Sequence, residues 1–212
     1  MPRDLLPLPL SPDRVRDERR LFLDIESSGL HEGSFPIELA LSDDGLEVRS
    51  WLIRPHDDWR LEDWSAQAEL VHGISWERLR IEGKAVERVA AEVASACAGR
   101  IVVSDAVGHD GLWIDRLFAA AGLGRLVSLH DYLDDLALKT VGALDPDEFF
   151  EVTQRAYELC DLHFPHTHVA GDDARCLAAF HRMVTDGEFL AAVNRLGAPS
   201  KGNAAPEAGT AL

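Results

Sequence analysis

Lysine is scarce in this sequence. Of 21 Lys and Arg residues only Lys84, Lys139 and Lys201 are lysines, and 37 Asp and Glu residues leave a formal net charge of −16 at pH 7. This balance argues against a protein that holds long duplexes by bulk electrostatics, because such binding depends on basic side chains neutralising phosphates. It leaves room for an enzyme that grips a few nucleotides through metal ions and a small local patch. Long apolar runs are also missing, so no stretch is long enough to span a bilayer. The first twenty residues carry early prolines and charges where a signal peptide would have its continuous apolar region. Cysteine is sparse too: Cys97, Cys160 and Cys176 form no CxxC pair and no even framework. Reduced thiols and a cytoplasmic location are the expectation. There is no internal repeat.

What is present is enough apolar material for one core: 212 residues, 46% of them hydrophobic, predict a single domain. Residues 1–19 read as a flexible, charged lead-in and 197–212, rich in Gly, Ala and Pro, as a disordered tail. The domain is therefore expected over 20–196. Its opening strand is Leu21-Phe22-Leu23 and the residues just after it. Pro36–Ser42 reads as a second strand, Asp43-Asp44-Gly45 as a hairpin turn, and Leu46–Pro55 as a third strand. Residues 57–80 break into short pieces, in which Ser75 can cap a short helix. Apolar spacing predicts helices over 85–98 and 111–121, stopped by Gly99 and Gly122. A buried strand is expected at 101–104 and a last one at 126–130. Helical periodicity returns over 134–140, 146–162 and 171–196, with a break near Gly187. Strands that meander first and then alternate with helices predict an α/β fold with a mixed sheet and helices on both faces.

The chemistry is concentrated in the stretch LFLDIESSGL, residues 21–30. Asp24 and Glu26 are separated by one residue, so on a strand both point to the same face. Two like charges side by side against a core strand are costly unless a positive charge lies between them, and a divalent metal supplies one. Two solvated acids at a strand end are the plain alternative. A second acid is sought in IVVSDAVGHDGLWIDRLF. Asp110 and Asp115 are rotated by about 500° along a helix and cannot share a face. Asp115, beside Arg116, reads as a surface charge. Asp110 falls at or just before the helix start, where the helix dipole favours a carboxylate, and a simple cap is its alternative role. In HTHVAGDDARCLAAF, His168 and Asp173 are five apart across small residues, and Asp172 and Asp173 both open a helix. His163, His166, His168 and His181 also permit a histidine-rich zinc site, although their spacing matches no usual zinc pattern.

Taken together, DIESSGL, PIELAL, VHGIS, an Asp opening a helix after VVSDA, and H-x-A-x-x-D in this order resemble the DEDDh 3′–5′ exonucleases. These are the proofreading-subunit and oligoribonuclease type, with a ribonuclease H-like fold. The resemblance runs from about Leu21 to about Phe180. It implies that Asp24, Glu26, Asp110 and Asp173 hold two divalent cations, Mg²⁺ or Mn²⁺, and that His168 is the general base. It further implies that Ser27, Leu30, His72 and Ile74 contact the terminal nucleotide at the 3′ end of single-stranded DNA or RNA. Departures from the family pattern are Ser27-Ser28 where Thr is common and His109 where an aromatic is usual. Asp105 is thereby a second candidate for the ligand assigned to Asp110.

The implied set is chemically coherent. Oxygen-rich sites suit hard cations, a metal pair can activate water and steady a leaving oxygen, and an imidazole can take the water's proton. A non-catalytic nucleic-acid-binding or protein-binding domain of the same fold is the alternative. It should have lost an acid or the histidine, whereas a candidate stands at all five positions.

Overall fold

The computed structural model describes residues 19–140 and 142–196. All of the expected lead-in except Arg19, and the whole expected tail, lie outside the described residues. Strand β1 (Arg20–Ser27) sends Leu21, Leu23 and Ile25 into one core and Phe22 into another. By the same alternation Asp24 and Glu26 share the face of Phe22. Strand β2 (Pro36–Asp43) runs antiparallel to β1, and after the Asp43–Gly45 turn β3 (Val48–Leu52) runs antiparallel to β2. A 3₁₀ turn at Leu61–Asp63 precedes two one-to-two-turn helices, α1 (Ala66–His72) and α2 (Trp76–Glu82). Each needs a capping hydroxyl to satisfy its first N–H groups. Ser65 accepts from Ala68 N and Ser75 from Arg78 N, both at 3.2 Å.

Helix α3 (Val86–Cys97), strand β4 (Ile101–Ser104), helix α4 (Val107–Ala120) and strand β5 (Leu129–Asp131) follow. Helices α5 (Tyr132–Thr140), α6 (Pro146–His163), α7 (Ala170–Thr185) and α8 (Gly187–Asn194) complete the described chain. The strand order is β3-β2-β1-β4-β5, with β4 parallel to β1 and β5 parallel to β4. Side chains of α3 and α4 pack on one face of this mixed sheet, and those of α5, α6 and α7 on the other. The expected α/β arrangement, a three-stranded meander followed by alternation, is the one observed.

The start of one helix differs from the sequence expectation. Helix α4 begins four residues before Gly111, at Val107, and its backbone bond from Asp110 N to Ala106 O is 2.9 Å. Gly108 and Gly111 each cost about 1 kcal/mol of helix propensity. The buried stripe of Trp113, Ile114, Leu117 and Phe118 outweighs that local cost. The C-terminal helical stretch is interrupted where the sequence predicts a break: beside Gly187, Asp186 ends α7, and its carboxylate caps α8 at Glu188 N and Phe189 N, both at 3.0 Å.

Helix α7 is fixed to the sheet at two points. Near its start, Ala170 and Ala174 pack against Ala40 of β2, all three fully buried, so the helix approaches the strand closely. Further along, His181 Nε2 lies 3.1 Å from Asp135 Oδ2, and the Asp135 carboxylate accepts from Arg20 Nε at 2.7 Å and Nη2 at 3.0 Å. Burial alone would raise the Asp135 pKa, but the bonds from His181 and Arg20 outweigh it and hold the carboxylate well below its ordinary range. This buried network ties β1, α5 and the C-terminal half of α7 together.

Candidate metal centre

The parallel strands β1, β4 and β5 end on the same side of the sheet, and the acids gather there. Crevices beyond the carboxyl ends of such strands are the usual ligand sites of open α/β sheets. The β1–β2 ladder shifts register between Glu26 and Ser27, an irregularity of the kind that re-aims side chains beside active sites. The turn after it is held by Ser28, whose Oγ donates to Asp63 O at 2.9 Å and accepts from Phe35 N at 3.0 Å. Asp173, in the first turn of α7, is 3% exposed. Its carboxylate accepts from Thr167 N at 2.8 Å and His168 N at 3.1 Å. Carboxylate oxygens of Asp24, Glu26 and Asp173 all lie within 4.8 Å of one another.

Asp110 approaches this cluster from the opposite layer, outside the group of three but near enough to act on Asp24. It is in the first turn of α4, 2% exposed, and accepts from Ser104 Oγ at 2.5 Å. The sequence places it at or before the helix start; the earlier start of α4 puts it inside the helix instead. Its charge is the strongest of the neighbouring acids acting on Asp24.

The electrostatics of these four carboxyl groups, taken by themselves, are unfavourable. Burial, followed by repulsion from Asp110, Glu26, Asp173 and Asp105, pushes the Asp24 carboxyl up to about 9. Burial, then Asp173 and Glu38, raises Glu26 to about 7. Asp110 also rises to about 7, mainly through burial, although the Ser104 hydrogen bond opposes the shift. Burial raises Asp173 as well, against the hydrogen bonds and histidines that favour its charge. Acids held together at this cost, offering only oxygen, fit hard divalent cations. Solvated acids at a strand end do not have this geometry.

The remaining predicted residues separate into those that face the site and one that does not. Ser27, Leu30 and His72 line a cavity of about 450 Å³ together with His168, Ala68 and Val71. His168 is exposed and adopts φ 57°, which turns it back over Asp173. His72 Nδ1 accepts from Ile74 N at 3.1 Å, leaving Nε2 as the proton-bearing nitrogen. Ile74 instead sits in the core with Phe35, Ile37 and Leu79, 2% exposed, so it shapes the loop under the cavity without lining it. A second cavity of about 380 Å³ reaches Asp24 and Asp173 from the other side and is lined by Asp105, His166, Tyr157 and Phe180. Asp105 is exposed there. Asp115 is at the surface, paired with Arg125.

Two residues near the acids were not singled out for this site by the sequence. Glu38 faces Glu26 across the ladder and accepts from Ala170 N at 3.3 Å. Pairing PIELAL against LFLDIES in register would have found it. His166 Nδ1 lies 3.0 Å from Asp173 Oδ2; it appears in the sequence only as one of several histidines.

No protein-family model matches this sequence, and no curated protein matches it. Solved structures do. A crystal structure of E. coli exonuclease I in complex with a dT13 oligonucleotide aligns with a TM-score of 0.58 at 20% identity, covering 80% of this chain and 41% of the other. A further exonuclease I structure aligns with a TM-score of 0.61 at 19% identity, over 82% and 43%. The zinc-bound form of an E. coli exonuclease I complex with single-stranded DNA gives 0.59 at 18%, over 83% and 42%. The chain shares its fold with these exonuclease I structures, and it spans about two fifths of the length of those chains.

Proposed function

We propose that this chain is a metal-dependent 3′–5′ exonuclease. In this reading it hydrolyses the terminal phosphodiester bond of single-stranded DNA or RNA and releases nucleoside 5′-monophosphates. The observation that carries the reading is the convergence of Asp24, Glu26 and Asp173 within 4.8 Å, with buried Asp110 acting on the same centre. The fold shared with exonuclease I, solved in complex with a dT13 oligonucleotide, supports the same assignment.

Asp24, Glu26, Asp110 and Asp173 would hold two divalent cations, Mg²⁺ or Mn²⁺. Bound there, the cations supply the charge that lowers the pKa of an attacking water and offsets charge on the departing 3′ oxygen. His168, exposed at the mouth of the site, accepts the proton of that water as it attacks phosphorus. The P–O3′ bond breaks, the 3′ oxygen of the shortened strand is protonated, and the released nucleotide keeps its 5′ phosphate. Leu30, Ala68 and Val71 give the 450 Å³ cavity an apolar wall against which a terminal base can rest. Among the described residues no helix is long and apolar enough to cross a membrane, and a cytoplasmic location belongs to the same proposal.

The test uses 5′-labelled single-stranded DNA and RNA with purified protein in Mg²⁺, Mn²⁺ or EDTA. The expected result is a metal-dependent ladder shortening from the 3′ end, lost in Asp24→Ala and His168→Ala. Failure to cut either strand in any metal would leave the chain as a binding domain of the same fold.

A further inference from the structure

We propose that His166, His168 and Asp173 form a second site, overlapping the acidic centre at Asp173, for a transition-metal ion, with Zn²⁺ the ion their donors suit best. Its potential nitrogen and oxygen ligands all lie within 4.8 Å of one another. The His166 and His168 ring centroids are 4.6 Å apart, and His166 Nδ1 is 3.0 Å from Asp173 Oδ2. Ligand atoms on a tetrahedral zinc ion, with bonds of about 2.1 Å, stand about 3.4 Å apart. His166 Nδ1 and Asp173 Oδ2, 3.0 Å apart, stand slightly inside that spacing, and modest side-chain rotation opens the pair and brings in the third ligand. His163 and His181 take no part; His181 is committed to Asp135 in the core.

The donor set separates this site from the acidic one. Two imidazoles with one carboxylate form the three-ligand set of zinc hydrolase centres, which leaves a fourth position open. Mg²⁺ prefers oxygen alone and has little use for imidazole. Asp173 therefore stands between two sets of partners, Asp24 and Glu26 on one side and the histidines on the other. The geometry of the histidine segment is fixed by the ligand it would share, because Asp173 accepts from the backbone N–H groups of both Thr167 and His168. His168 adopts the left-handed backbone region at φ 57°. A non-glycine residue keeps that conformation only where its surroundings enforce it.

Occupation of this site draws Asp173 away from the acids and blocks the His168 imidazole. On the exonuclease reading above, on which this consequence rests, zinc competes with the Mg²⁺-supported reaction.

Binding is measured first, without nucleic acid. Metal-free protein in excess Mg²⁺ is titrated with Zn²⁺ against a chromophoric chelator. One equivalent should bind. His166→Ala should weaken binding by about tenfold or more, and Asp24→Asn should leave it unchanged. Equal affinity in wild type and His166→Ala overturns the proposal, and so does loss of binding in Asp24→Asn, which would put zinc among the acids. In the cleavage assay, the zinc concentration giving half-inhibition should rise in His166→Ala by a similar factor. A protein that binds zinc as expected yet cleaves nothing keeps this site and sinks the exonuclease reading. A protein that cleaves but shows no His166-dependent zinc binding does the reverse.

Discussion

Glu26 of β1 sits directly opposite Glu38 of β2 in the antiparallel ladder. Two glutamates paired across a sheet repel each other, and the reason for keeping the second is found at α7. Val169, the residue before that helix, offers no side-chain cap, whereas Glu38 Oε2 accepts from Ala170 N at 3.3 Å. Glu38 is thus a cap supplied by a neighbouring strand, and it fixes the turn that carries His168 and Asp173. Glu38→Ala is expected to lower stability by about 1 kcal/mol, as loss of a helix cap does, and to reduce kcat with it. Glu38→Gln keeps an acceptor and removes a charge, so it should retain both. Urea denaturation and steady-state kinetics on the two variants check this; equal loss in both would show that the charge, and not the cap, matters.

The raised carboxyl groups predict an unusual pH dependence for the metal-free protein. Asp24, Glu26 and Asp110 have folded-state values of about 9, 7 and 7 against ordinary values of 3.8, 4.5 and 3.8. A group whose folded pKa is raised contributes stability that is complete below its unfolded pKa and is lost as pH rises through its folded pKa. Thermal stability in EDTA should therefore fall between about pH 4 and pH 9. Asp135 works the other way, because its lowered pKa adds stability that disappears only in stronger acid, below this window. Saturating Mg²⁺ should flatten the decline, and calorimetry near neutral pH should record proton release as the metal binds. A melting temperature that climbs with pH in EDTA would contradict the clustered acids.

The second-motif ligand can be decided by substitution. Asp110 is buried, hydrogen-bonded to Ser104 and the strongest single charge acting on Asp24, whereas Asp105 is exposed at the cavity rim. Asp110→Ala should lower kcat by more than about a hundredfold and Ser104→Ala by roughly tenfold, the range expected when a group that orients a ligand is removed. Asp105→Ala should stay within the same order of magnitude as wild type. The reverse ranking would move the ligand to Asp105.

How much of this was legible in the sequence depended on whether a feature was local. Alternation alone put Asp24 and Glu26 on one face of β1, and turn chemistry located the β2–β3 hairpin. Helical periodicity found α3, α6 and α7. The features that escaped depend on which elements meet. The start of α4 was misplaced because glycines at 108 and 111 argue against a helix that tertiary packing nevertheless stabilises. Ile74 sits in a motif that suggests substrate contact, yet its side chain turns into the core with Phe35. The Arg20–Asp135–His181 network joins three distant positions, and no spacing rule links them. Glu38 became visible only with the strand register, and His166 only when the loop before α7 folded onto Asp173.

The charge balance makes a last prediction about how nucleic acid is held. A chain with a formal charge of −16 repels a phosphate backbone, and without cations its acidic centre adds to that repulsion wherever the carboxylates are ionised. On the proposed reading, cations bound by the acids would reverse the local sign, and the terminal phosphates would be held through metal while the base rests on the apolar wall of Leu30 and Val71. Binding should then depend strongly on Mg²⁺ and weakly on monovalent salt. A protein that grips single strands through basic side chains loses log affinity with a slope of about −0.7 per phosphate contacted. For this chain, a slope no steeper than about −1 is expected. The measurement uses His168→Ala, so that bound oligonucleotide is not cut, with fluorescence anisotropy across a series of KCl concentrations in Mg²⁺ and then in EDTA. Loss of binding in EDTA with a shallow slope in Mg²⁺ is the expected pair of results. A steep slope that survives EDTA would mean that an extended basic surface, and not the metal centre, holds the strand.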